Sequence, residues 1–181
     1  MPSNRDRALG AAVELLGTEG LRSLTHVRVD ERAGLPKGST SNHFRTRAAL
    51  LEGVVAWMVE RELPEVGAAA APETVDELVE ALARLFEFMM GPNRTVTAAR
   101  MVLLMEAAHD PALRVALTRG RAAMEATLLP ALARFGARDP QLATDALAAC
   151  FEGLFLHDLG RHAQVDARPV LELVVRAALA D

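Results

Sequence analysis

Residues 25–47 read Thr25-His26-Val27-Arg28-Val29-Asp30-Glu31-Arg32-Ala33-Gly34-Leu35-Pro36-Lys37-Gly38-Ser39-Thr40-Ser41-Asn42-His43-Phe44-Arg45-Thr46-Arg47. Thr25 is a capping residue for a short helix that ends near Ala33, and Gly34 turns the chain. Pro36 suits the first position of a second short helix, and Thr46 can cap the helix that follows. The apolar anchors here are Val29, Ala33, Leu35 and Phe44, too few to bury much surface alone. The two short helices must therefore pack on a third, which makes a three-helix DNA-binding unit. The second short helix presents Lys37, Ser39, Thr40 and Asn42, side chains of the kind that meet base edges and phosphates in a major groove. Gly38 has no side chain to hold a phosphate away. A polar run of this composition is by itself a solvated loop; the helix signals around it and the position of His43-Phe44 favour the groove-reading role.

Working outward, the third helix lies before this stretch. It opens at Ser3 with Asp6 three residues on, carries Leu9, Ala12, Val13 and Leu16 on one face, and stops at Gly20. After Thr46 a helix runs through Leu50, Val54, Trp57 and Met58 to about Leu63, followed by a linker-like stretch of Pro64 and Gly67-Ala68-Ala69-Ala70-Ala71-Pro72. Helical spacing then covers roughly residues 75–89, 95–108, 112–135, 141–161 and 168–180, with Pro130 expected to bend the third of these. No strand pattern occurs. The sequence therefore predicts an all-α fold, with a helix-turn-helix DNA-binding domain over residues 1–46 joined through the fourth helix to an all-helical domain over residues 47–181.

The pattern of a Thr-capped helix, Ala33-Gly34-Leu35, a small turn, Lys37-Gly38-Ser39 and His43-Phe44 resembles the tetracycline-repressor (TetR) family of transcriptional regulators, over about residues 5–60. The resemblance implies that Thr25 and His26 meet the DNA backbone and that Lys37, Gly38 and Ser39 open the recognition helix. It implies too that Asn42 and His43 close that helix and that Arg47 holds a phosphate. Two positions depart from the pattern: Ser41 replaces its aromatic residue, and Pro36 replaces a Ser or Thr cap. Arg22, Arg28, Arg32 and Arg45 are read as solubilising surface charge.

Charge supports a polyanion at one end only. The net charge is −4, yet residues 1–50 hold eight Arg and Lys against five Asp and Glu, leaving an excess of acid in the remainder. With 51% hydrophobic residues the chain has enough apolar material for a packed core. The polar N-terminus and the lack of a long apolar run predict a cytoplasmic protein without a membrane partner. The single cysteine, Cys150, excludes an internal disulfide and reads as a buried structural thiol. No triad, paired carboxylate, phosphate loop or zinc signature stands out, so neither enzymatic activity, nor a cofactor, nor a metal is expected.

In the body, Trp57, Met58, Phe86, Met89, Met101, Met105, Phe151 and Phe155 are the candidate wall of an apolar ligand pocket, with Glu106 and His109 as polar handles. Arg100 and His157 are further polar candidates on apolar helices. The last two helices are apolar over more than one face, which marks a subunit interface. Phe151, Leu154, His157, Leu171, Val174 and Ala178 are its expected contacts, and the resemblance implies a four-helix dimer interface there. The expected partners are a palindromic operator in double-stranded DNA, a second copy of the chain and a small, largely apolar effector that releases repression. The competing reading is a helical protein-interaction module that does not read DNA sequence.

Overall fold

The computed structural model describes residues 2–69, 72–161 and 164–180. Every regular element among them is helical. The order is α1 (Asn4–Glu19), one 3-10 turn (Leu21–Ser23), α2 (His26–Ala33), α3 (Ser39–His43), α4 (Arg47–Ala69), α5 (Val75–Met90), α6 (Arg94–Glu106), α7 (Pro111–Arg134), α8 (Pro140–Arg161) and α9 (Arg168–Leu179). None of these helices is long and apolar enough to cross a membrane.

The ends of the helices follow local chemistry. Ser3 caps α1 by accepting from the Asp6 amide, Thr25 caps α2 by accepting from that of Arg28, and Thr74 caps α5 by accepting from that of Glu77. Gly34 closes α2 in the left-handed conformation, at φ 61°, where its amide reaches the carbonyls at the end of the helix. Two expectations needed correcting. The helix expected to open at Pro36 begins at Ser39, because Gly38 at φ 90° is not helical. The helix expected to end near Leu63 continues through Pro64 to Ala69, so residues 64–69 are not a linker; Ala70 and Ala71 lie outside the described residues. A proline inside a helix removes its own N–H bond and crowds the carbonyl four residues back, but the remaining backbone bonds can carry the helix past it.

The chain divides into two compact units. The first takes in Met1–Arg61 and Arg94–Gly120, and the second Glu62–Asn93 and Arg121–Asp181. The first thus holds more than residues 1–46, since α6 and the beginning of α7 gather with α1–α3. Its core joins Leu9, Leu16, Val29, Leu50, Val54, Met58, Leu103 and Leu113, all nearly inaccessible to water. Burying such side chains contributes roughly 1.5–3 kcal/mol each. α1 and α6 approach so closely that a Cβ at Gly17 would lie 2.2 Å from the Thr95 carbonyl oxygen. A Cβ at Gly53 would likewise sit 2.6 Å from the Phe44 ring, which is how α4 seats the end of α3.

In the second unit α5, α8 and α9 pack together. Leu78, Leu82, Phe86, Leu147, Phe155, Leu171 and Val175 are buried there. Ion pairs from Arg176 to Asp76 (2.7 Å) and from Arg168 to Glu80 (3.2 Å) tie the surface of α9 to α5. Being exposed, they fix register more than they add stability.

Candidate functional site

α2 is held on α1 by polar contacts that the sequence did not reveal. Arg28 pairs with Glu19 at 2.5 Å, and Arg32 bridges Glu14 and Glu19 at 2.9 and 2.6 Å. The Arg28 guanidinium beside it outweighs partial desolvation and holds the Glu19 carboxyl below its ordinary value. Arg28 and Arg32 are therefore staples between α1 and α2 as well as surface charge. Arg7 of α1 donates to the carbonyls of Ala33 and Gly34 at 2.7 and 3.0 Å, which satisfies the open end of α2.

The side chains expected to meet DNA separate into two groups. Lys37, Asn42, His43 and Arg47 are exposed, as are Ser41 and Thr25. Arg47 gives one N–H to the Leu21 carbonyl at 3.3 Å, which orients the guanidinium at the first turn of α4 and leaves the rest of it at the surface. Gly38 and Ser39 are half-buried, and the Ser39 hydroxyl donates to the Pro36 carbonyl at 2.6 Å. The others face inward. Thr40 is fully buried and its hydroxyl donates to Asp30, so it cannot reach a base edge. His26 directs Nε2 at the Phe44 carbonyl, 2.7 Å away, and only its Nδ1 edge is left for another partner. A short helix needs some side chains turned back to hold it, and a sequence does not say which.

Asp30 is the buried carboxylate of this region, only 3% exposed. It accepts from the Gly38 amide at 2.7 Å and from the Thr40 amide and hydroxyl at 2.8 and 2.5 Å. Burial alone would raise its carboxyl, but these three bonds outweigh it and the carboxyl lies below its ordinary value. What it adds to stability is therefore present in full above about pH 3.8 and is lost as pH falls through the lowered value of the folded state.

The ten candidate ligand contacts are distributed over both units. Trp57, Met58, Met101, Met105, Glu106 and His109 belong to the first unit, and Phe86, Met89, Phe151 and Phe155 to the second. Met105 is 70% exposed and His109 is exposed, so neither lines an enclosed space within its unit. Trp57 lies under the Arg61 guanidinium, 4.1 Å from the ring centroid, and its Nε1 is buried with no hydrogen-bond partner among the described residues. Phe86, Phe151 and Phe155 do come together, Phe86 stacking on Phe155 at 5.6 Å with Phe151 edge-on at 5.7 Å to Phe155. Glu62, which the sequence reading missed in a run of charged residues, is 2% exposed and accepts from Asn93 at 2.9 Å. A separate cavity of about 630 Å³ in the first unit lies between α4 and α7, lined by Glu52, Val55, Val59, Glu60, Val115 and others, none of them among those ten. Cys150 is half-buried, and desolvation pushes its thiol up.

The residues expected at a dimer interface also divide. Leu171 is fully buried and Leu154 nearly so, both within the unit's own core. Phe151, Val174 and Ala178 are half-buried and His157 is exposed. The outward apolar side chains of α8 and α9 are instead Leu142, Leu156, Val170 and Leu173, between 40% and 69% exposed.

A helix-turn-helix joined to a helical body defines the class of one-component transcriptional regulators. Residues 73–181 match the family model described as "Tetracyclin repressor-like, C-terminal domain", and the chain belongs to the TetR family of transcriptional regulators. A protein described as a transcriptional regulator from Streptomyces coelicolor A3(2) is 26% identical over 99% of this chain and 100% of that one, with a TM-score of 0.80. A TetR-family regulator from Rhodococcus sp., 24% identical over 98% and 99% of the two chains, shares the fold at a TM-score of 0.82. The multidrug binding protein EbrR, complexed with imidazole, is 27% identical over 100% of this chain and 93% of that one, with a TM-score of 0.75; it has also been solved with ethidium. No curated protein sequence matches the chain.

Proposed function

We propose that this regulator is a repressor that binds a palindromic operator as a homodimer through residues 1–46, and that a small effector bound by residues 47–181 releases it. The observation that carries the reading is the exposed set Lys37, Asn42 and His43 around α3 with Arg47 at the start of α4. These are base-reading and phosphate-holding side chains on one short segment. Two-fold symmetry would place two such segments in successive major grooves, about 34 Å apart. Effector binding then favours a conformation that no longer matches this spacing, and operator DNA weakens effector binding by the same factor. The test is selection from random duplexes. An enriched palindrome is expected; no enrichment would favour a protein-interaction module in which Ser41 has removed a needed DNA contact.

Within that reading Arg47 positions and Lys37 reads. Arg47→Ala should weaken all duplexes alike and reduce the salt slope of binding by about one unit. Lys37→Ala should cost roughly 1–3 kcal/mol on the selected site alone. Titrations of selected and random duplexes across a salt series check both, and equal losses on the two duplexes for both variants would refute the assignment.

The effector is expected to be largely apolar with a cationic or hydrogen-donating end. Met and Phe side chains supply apolar wall, the chain beyond residue 50 is acidic, and EbrR, which shares the fold, has been solved with ethidium. A thermal-shift screen of hydrophobic cations, neutral aromatics and fatty acids, each hit retested for release of DNA, decides it. Release by anionic or sugar-like compounds alone would overturn this choice of chemistry.

A further inference from the structure

We infer that His26 and Asp30 are positioning residues that fix the recognition helix at both of its ends and thereby set how sharply it discriminates between DNA sequences. The inference rests on reading α3 as the DNA-reading helix. α3 has five residues, well short of what a helix needs to stand alone, and its only buried side chain is Thr40. Its orientation must therefore come from tethers.

His26 and Asp30 are four residues apart and so share one face of α2. At the N-terminal end of α3 the Asp30 carboxylate takes the amides of Gly38 and Thr40, donors that have no partner inside the helix. At the other end, Phe44 is the C-cap of α3 and its carbonyl receives the imidazole. A carbonyl only accepts, so Nε2 must carry the proton, which leaves Nδ1 as the acceptor in the neutral ring. Acceptor thus meets orphan amides at one end and donor meets an orphan carbonyl at the other, in the polarity that a helix requires. The Thr40 hydroxyl adds a third bond to the same carboxylate.

None of these bonds uses Lys37, Asn42 or Arg47. Breaking the clamp therefore leaves the charges that attract any DNA, but frees α3 to shift. Non-specific binding depends on charge, whereas base readout depends on register to about 0.5 Å. Loss of the clamp should show as lost discrimination, not as uniformly weaker binding.

The experiment uses the full chain as Asp30→Ala, Asp30→Asn, His26→Ala and His26→Gln. One arm measures amide exchange at Gly38 and Thr40 against core amides of α1 and α4. The other measures affinity for a selected duplex and for a random duplex of equal length. The alanine variants should speed exchange at Gly38 for Asp30 and at the α3 C-terminus for His26, with core protection retained. In Asp30→Ala affinity for the selected duplex should fall about tenfold or more while that for random DNA changes less than about twofold; in His26→Ala the loss on the selected duplex should exceed the loss on random DNA. Asn retains an acceptor and Gln a donor, so each should recover part of the loss. If Asp30→Ala fails to fold, the His26 pair and Asp30→Asn decide. Unchanged exchange in the variants overturns the clamp, and equal losses on both duplexes overturn its role in discrimination. If no duplex is enriched at all, the DNA reading of α3 fails and the positioning role falls with it, while the exchange arm still reports whether the clamp exists.

Discussion

Leu156→Arg combined with Leu173→Arg is expected to give folded monomers that have lost on the order of 100-fold or more in operator affinity, the scale by which linking two sites raises binding. Both side chains are more than 60% exposed in the isolated subunit, so arginine can be accommodated there without disturbing the core. If α8 and α9 form the interface of the proposed dimer, these outward apolar side chains are covered there, and two unpaired guanidinium groups on each side would oppose association. The contrast is Leu171→Arg. Leu171 is fully buried beneath the same helix, so the charge there should unfold the second unit instead of yielding a folded monomer. Sedimentation together with circular dichroism separates the outcomes, and a double variant that still sediments as a dimer would place the interface elsewhere.

Gly17→Ala is expected to destabilise the chain by about 1–3 kcal/mol, the range of forced overpacking, even though alanine is the better helix former by about 1 kcal/mol. The reason is the object in the way. The new Cβ would meet the Thr95 backbone carbonyl at 2.2 Å, and a backbone atom in the first turn of α6 cannot step aside as a flexible side chain does. Gly67→Ala supplies the opposite sign. It is also helical, nothing among the described residues lies within 4 Å of its Cβ position, and substitution should be neutral or stabilising by up to about 1 kcal/mol. Denaturant midpoints of the two variants test the pair. A Gly17→Ala protein as stable as the parent would mean that α1 and α6 are not in this close contact.

The unforeseen features share one character. Glu62 and Asp30 each stand among charged neighbours in the sequence, yet both are buried because a partner distant in the chain comes to them: Asn93 for Glu62, and Gly38 with Thr40 for Asp30. Thr40 and His26 have the residue types of DNA contacts, and both are turned to internal partners. Arg28 and Arg32 read as solvated charge and prove to be braces of the helix-turn-helix. In every case the deciding group lies on another element, or beyond a turn, where periodicity carries no signal.

What the sequence determined by itself is whatever depends on a few neighbouring residues. Caps at Ser3, Thr25 and Thr46, stops at Gly20 and Gly34, and apolar spacing set the helices to within a few residues, apart from the starts and ends near Pro36 and Pro64. The run from Thr25 to Arg47 was enough to indicate the family, which the match over residues 73–181 then showed from the other end of the chain. Only the tertiary structure decided which apolar face of α9 is core and which is free, that Leu171 and Val175 point inward while Val170 and Leu173 point out, and that α6 gathers with α1–α3. A helix that is apolar on two sides satisfies the same local rules whichever side it buries. The choice is made by the surfaces of helices far away in the chain, where close packing admits one arrangement and excludes the others.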